Sequence, residues 1–450
     1  MNSNLDRIIF FILFLGIIIS TSYAYFNIKK FDKNGSENNH LMIRGDLGLI
    51  FQESYEFQQD YKSTGNFFGS GKEYTRTFLP SKILALYYFF SGEEIYENYD
   101  QKKIKIGNKF CYFLFQIFLF YLCLYFLYLN LIKFYNNKVL SLSIISYLSL
   151  DFNIIQWHGT FWTESIFFSL QILLISLIIA RDKSFKIYLI IGLLLGLIFL
   201  QKTVGILFII FVITYFFLEE NSHKYLKNFL LLSSFSLVMF FLAYDNYIKT
   251  GLIYVLPMQT KTAHYVYVAS SIVQKKEGSL QSLKAEENKW KRNNFFKNND
   301  FKSKYDFMNF KQQKALSVMM DNKLETFKIY FKNTLAHLNL NPLQTYFWHE
   351  YNKDDKKNQE FHKSEMSKKY FFIKILYSLL IYPIIIIGFF SAMKDKSKLN
   401  FNILILIFVF YMIFMLGWVG NSRYFVPSLI FLSIFFGNGL HKLINIFLIK

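Results

Sequence analysis

The chain has 450 residues, 53% of them hydrophobic and 20% aromatic, with a formal net charge of +19. Its mean hydropathy of +0.24, with several apolar runs near the ~20 residues that cross a bilayer, excludes a soluble globular domain and describes an all-α polytopic membrane protein. Lysines interleave with Tyr and Phe but form no compact RNA- or DNA-binding motif, so the positive charge points to anionic lipid headgroups and not to nucleic acid.

The first element is an apolar run behind Arg7. Ser22-Tyr23-Ala24 has the small-residue character of a signal-peptide cleavage site, but the run continues to Phe26 and reads as a retained helix over 8–26. A loop over 27–109 follows, too polar to cross a bilayer. Two short apolar runs within it, 42–57 and 74–94, are suited to lie on a membrane surface, and its charged residues of interest are Arg44, Asp46, Glu53 and Arg76. Further spans are expected at 110–132, 139–157, 161–180, 187–201, 203–218, 228–248, 370–392, 400–419 and 424–445, about ten in all. The pair 187–201 and 203–218 is read as two helices because one helix of that length would measure about 48 Å against a core of roughly 30 Å. Cys111 and Cys123 lie twelve residues apart in one run, about 18 Å along a helix and too far for a disulfide; both are expected in the core.

The chain divides into a membrane domain over 1–248 with its first outer loop, a second extracytoplasmic loop over 249–369, and C-terminal spans over 370–450. Within the second loop, one helix is expected from Tyr305 to Leu338, with Leu316, Met319, Met320, Leu324, Phe327 and Phe331 at three- to four-residue spacing. Orientation follows from lysine and arginine in the short loops: 133–138, 181–186, 223–227 and 393–398 are basic and therefore cytoplasmic, which places both long loops outside.

Ionisable residues within a span are costly and are functional candidates. Asp151, Glu164, Lys202, Asp245, Lys374 and Arg423 all fall near the outer ends of the expected helices, at the level of Trp157, Trp162 and Trp418, and none lies near the midplane. A secondary transporter places its polar groups at the midplane. An enzyme that takes a lipid-borne substrate from the outer leaflet carries them where this chain does. There is no Walker A sequence, GxGxxG fingerprint or HExxH.

Five segments together resemble the GT-C class of integral membrane glycosyltransferases, which includes protein mannosyltransferases and the lipid A aminoarabinose transferase. Asp46 followed by RTFLPSKILALYYFFSG (76–92) is similar to that family's Asp and "RxPxYPxLLAxxYxLFG" segment. WTESIFFSLQILLISLII (162–179), GLLLGLIFLQKTVGILFII (192–210), NYIKTGLIY (246–254) and SRYFVPSLIFLSIF (422–435) follow in the family's order. The chain departs from the pattern at Asp245, where the family has Arg, and at the missing partners of Pro80 and Pro427.

The resemblance implies a multi-pass enzyme, expected in a bacterial inner membrane, that moves a sugar from a polyprenyl-phosphate donor to a hydroxyl of a glycan, lipid or protein acceptor of the cell envelope. It implies Asp46 as general base and Lys202 and Arg423 as binders of the donor phosphate, with Arg76 and Arg44 in support. Glu164, His158 and Glu53 are supporting polar groups. Glu164 is suited to orient a cation or to help hold a divalent ion, but no ligand cluster commits the chain to a metal. The alternatives are an envelope polysaccharide polymerase or ligase, and a membrane transporter or flippase.

Overall fold

The computed structural model describes residues 2–33, 46–65, 78–92, 109–180, 184–219, 223–256, 268–269, 272, 304–338, 340–342, 356–416 and 422–448. Among the described residues there are helices and no strands. In chain order they are α1 Asn2–Lys33, α2 Asp46–Thr64, α3 Phe78–Phe90, α4 Lys109–Tyr135, α5 Lys138–Leu150, α6 Glu164–Ile178, α7 Phe185–Gln201, α8 Phe208–Glu219 and α9 Lys224–Thr250. They continue with α10 Lys304–Asp321, α11 Lys323–His337, α12 Lys356–Lys394, α13 Leu399–Leu416 and α14 Val426–Leu448.

Among the described residues, six helices are long and apolar enough to cross a membrane: segments Arg7–Lys29, Phe110–Tyr135, Lys224–Ile248, Phe371–Lys394, Lys396–Met415 and Val426–Phe447. Their outward faces are apolar. Phe10, Phe118, Phe240, Phe372 and Phe414 are exposed at the bundle surface, an arrangement that suits a hydrocarbon solvent and no aqueous one. This is a multi-pass membrane protein.

Cross-helix contacts fix the direction of each element. Tyr121 of α4 donates to the Ser149 carbonyl of α5 at 2.9 Å, so these two form an antiparallel hairpin. Gln116 reaches the Thr160 carbonyl, and Asn130 reaches Ser176, so α4 and α6 run parallel. Tyr188 near the start of α7 meets Phe216 near the end of α8, with ring centroids 4.8 Å apart; α7 and α8 are therefore two helices folded back on each other, as length argued. Between them Lys202 is extended (φ −149°, ψ 122°), followed by a 3-10 turn over Thr203–Leu207. The crossing of α12 and α14 uses small residues: a Cβ on Gly388 would collide with the Phe435 carbonyl, and one on Gly439 with the Ile384 carbonyl. Backbones approach in this way only where side chains are absent.

The bundle thus has two chemically different ends. One gathers Lys133, Lys138, Lys186, Lys224, Lys227, Lys394, Lys396 and Lys398, tied together by contacts such as Lys398 over the Phe134 ring and Asn400 on Glu219. The other, called here the Glu164 end, carries Asp151, Glu164, Lys202, Asp245, Lys374 and Arg423.

Three expectations are corrected. The helix expected over 139–157 stops at Leu150, because Asp151 leaves helical geometry and its carboxylate caps the short turn Phe152–Ile155 through the Asn153 amide at 2.7 Å. The single helix expected over 305–338 is two, broken at Asn322, whose backbone (φ −129°, ψ 48°) is not helical. Cys123 is buried as expected, but Cys111 is exposed on the outside of α4.

Candidate functional site

The Glu164 end is built around a buried stretch that holds one four-residue helical turn, Phe152–Ile155, and is otherwise irregular. Residues 151–163 connect α5 to α6, and all but Phe152 and Trp162 are buried, including Asn153, Gln156, His158, Thr160 and Thr163. A buried non-helical backbone must find its hydrogen bonds elsewhere. The Thr160 carbonyl takes one from Gln116, Gly159 takes one from Asn27, and the Thr163 carbonyl takes one from Gln201 at 3.0 Å. Gly159 lies so near α1 that a Cβ there would come within 2.8 Å of the Ala24 backbone. Side chains from α1, α4 and α7 therefore hold this stretch, and it sets where α6 begins.

At that beginning stands Glu164, wholly buried. Lys202 Nζ donates to its Oε1 at 2.8 Å, and Arg423 Nε donates to the same oxygen at 2.6 Å. Lys202 arrives from the tip of the α7–α8 hairpin and Arg423 from the 3-10 turn Ser422–Tyr424 ahead of α14. The guanidinium lies over the Trp162 ring, 3.6 Å from its centroid, with Trp157 at 5.5 Å. Stacking of this kind on a desolvated ring contributes up to about 2 kcal/mol and fixes the plane of the fork. The two cations keep 14% and 10% of their side-chain surface open, while Glu164 keeps none. The cationic side of the cluster thus faces outward from a carboxylate that anchors it.

His158 does not join this cluster through any contact found among the described residues. Its Nδ1 is 2.7 Å from the Ser165 hydroxyl, and its ring packs 4.4 Å from Phe120. Asp151 belongs to a separate network: Tyr377 donates to its Oδ2 at 2.6 Å and the Asn153 side chain to its Oδ1 at 3.0 Å. Beside it opens a cleft of about 410 Å³ lined mainly by Tyr147, Leu150, Ile373, Tyr377 and Ile381.

Pieces of both long loops cover this end. Helices α2 and α3 pack on each other, with Ser81 donating to Glu53 Oε2 at 2.8 Å and Lys82 over the Phe57 ring at 3.3 Å. They rest on the bundle through Phe51 against Phe161 and Tyr87 against Tyr112. From the second loop, the Asn341 amide donates to Asn153 and its carbonyl accepts from Gln156. Of the residues singled out in the sequence, the structure therefore brings Glu164, Lys202 and Arg423 into contact and engages Glu53 in the α2–α3 joint. Asp46 is the first residue of α2, and its side chain lies outside the described residues, as do Arg44, Arg76 and Trp418. Sequence reasoning missed the buried connector because its polar residues Asn153, Gln156, Thr160 and Thr163 fall at i, i+3, i+7 and i+10, the spacing of one helical face, so that the stretch reads as more helix and only His158 departs from the pattern. Among the described residues, no group of three or more His, Cys, Asp or Glu is placed to hold a metal ion.

Comparison with protein-family models and with curated proteins finds no match for this chain.

Proposed function

We propose that this protein is a membrane glycosyltransferase of GT-C type with about ten transmembrane helices, which moves a sugar from a polyprenyl-phosphate donor to an acceptor hydroxyl at the extracytoplasmic face. The observation that carries this reading is the meeting of Lys202 and Arg423 on Glu164, at the end opposite the lysine-rich one and beneath amphipathic helices from the long loop. Short basic loops stay in the cytoplasm, so the Glu164 end faces out, where lipid-linked sugars are used.

In this mechanism the acceptor oxygen bonds to the donor's C1 as the bond from C1 to the phosphate oxygen breaks. The acceptor's proton passes to the Asp46 carboxylate, and the bonding electron pair leaves with the lipid phosphate. Charge grows on that phosphate in the transition state, where two oriented cations in a water-poor site stabilise it most. Glu164 is a positioning residue: it holds both cations in place before the donor arrives.

Transfer of radiolabelled sugar from a polyprenyl phosphate, measured in detergent extract, tests the reading. Lys202→Met and Arg423→Met should each fold, because Glu164 keeps its other cation, and should lose transfer by about 10²- to 10³-fold, the usual cost of removing one donor to a developing anion. Wild-type rates in either variant remove that residue from the site, and no transfer by the unaltered protein from any lipid-linked sugar removes the function.

Orientation is checked separately. Single cysteines at Ser63 and Ser282, in a chain lacking Cys111 and Cys123, should react with an impermeant thiol reagent on intact spheroplasts. Protection of both until lysis would invert the topology.

A further inference from the structure

Helix α11 is amphipathic in the wrong sense for water. The side chains that it turns toward the protein include Thr326, Tyr330 and Asn333, which are partly covered, while Leu324, Phe327, Phe331 and Leu335 are between 54% and 66% exposed. Their spacing of three, four and four residues makes one stripe about 16 Å long. Phe327 and Phe331 stack along it with centroids 6.3 Å apart. Lys323 flanks the stripe on one side; Lys328 and Lys332 flank it on the other, and all three are exposed. A helix of a water-soluble surface would turn these faces the other way.

Its position identifies what covers the stripe. Tyr330 donates to the Phe414 carbonyl at 2.7 Å, in the last turn of α13, a membrane-spanning candidate whose Phe410 and Phe414 face outward. Tyr382 of α12 donates to the Leu338 carbonyl just past the end of α11. The helix is thus pinned by Tyr330 to the Glu164 end of α13, where the hydrocarbon meets the headgroups, and the residue after it is held by Tyr382, a side chain from midway along the α12 span.

We infer that α11 lies in the plane of the membrane surface, with Leu324, Phe327, Phe331 and Leu335 in the acyl boundary and Lys323, Lys328 and Lys332 on anionic phospholipid headgroups. Apolar burial and basic flanks act together in such helices. The partner is the anionic lipid surface itself, and the inference stands on the fold independently of any transferase activity.

The test uses the full-length protein in nanodiscs of phosphatidylcholine and phosphatidylglycerol, with Cys111 and Cys123 replaced by serine and an environment-sensitive fluorophore on Phe327→Cys or Lys332→Cys. The probe at 327 should be blue-shifted, quenched by spin-labelled acyl chains, and quenched by aqueous iodide several-fold less than the probe at 332. Equal iodide quenching at both positions overturns the inference. So does a probe at 327 that neither quencher reaches in a preparation that is dimeric by mass photometry, since the stripe then covers a second copy. The unaltered protein gives an independent reading: photoactivatable phosphatidylglycerol should leave adducts within 323–337, and adducts confined to the spans would refute the assignment.

Discussion

Asp46→Asn should slow sugar transfer about 10²- to 10⁴-fold, the usual contribution of a general base, while donor binding stays close to wild type because Lys202 and Arg423 remain. The motivation is positional. The resemblance places a carboxylate just after the first helix, and the structure makes Asp46 the first residue of α2, on the segment whose Phe51 packs against Phe161 of the buried connector. Asparagine keeps the size and the hydrogen bonding and loses only the basicity. Glu53 cannot substitute: it lies seven residues on in the same helix, about 10.5 Å along the axis, and accepts from Ser81 at 2.8 Å. Glu53→Gln preserves that acceptor and should cost far less. Near-wild-type transfer by Asp46→Asn together with a dead Glu53→Gln would move the base to position 53.

Among changes to the three-residue cluster, Glu164→Gln should be the most damaging to the fold. Glu164 is fully buried and takes Lys202 and Arg423 on one oxygen. Losing the carboxylate from a buried ion cluster typically costs roughly 3–5 kcal/mol, and the small exposure of the two cations places this case toward the lower figure. Removing either cation instead leaves a paired carboxylate. The expected order of thermal stability in detergent is therefore wild type, then Lys202→Met and Arg423→Met, with Glu164→Gln lowest. The double variant Glu164→Gln/Lys202→Met should lose less than the sum of its parts, since contacting residues are not additive. If Glu164→Gln melts with the wild type, the cluster does not hold this end together.

How much of this was legible depends on what each residue had to announce. The long spans declare themselves through uninterrupted apolar runs, and the α7–α8 hairpin through a length that no single span needs. Glu164, Lys202 and Arg423 could each be recognised as a charge in an expensive place, and their common level followed from counting helices. Their contact could not be read, because Lys202 stands 38 residues and Arg423 259 residues from Glu164, and three-dimensional proximity at such separations leaves no mark on local pattern. The connector 151–163 was hidden by its own composition: Phe152, Ile154, Ile155, Trp157 and Phe161 continue the apolar run of α5, so hydropathy extends the helix through a point where Asp151 ends it. The α11 stripe was visible as periodicity, but its outward direction was not, since the same spacing describes a helix facing a core or facing lipid. The break at Asn322 rests on one residue of modest helix propensity, a signal too weak to divide a pattern that continues on both sides.

The sharing of one Glu164 oxygen by two distant cations also orders events in time as the chain is made. At about 5–20 residues per second, Lys202 follows Glu164 by roughly 2–8 s, whereas Arg423 follows by roughly 13–50 s. The ribosome thus delivers one partner to the carboxylate with the α7–α8 hairpin, and the guanidinium only after α13 has been made. The cluster is assembled in two steps, and in the interval between them the nascent chain holds Glu164 by the Lys202 pair alone.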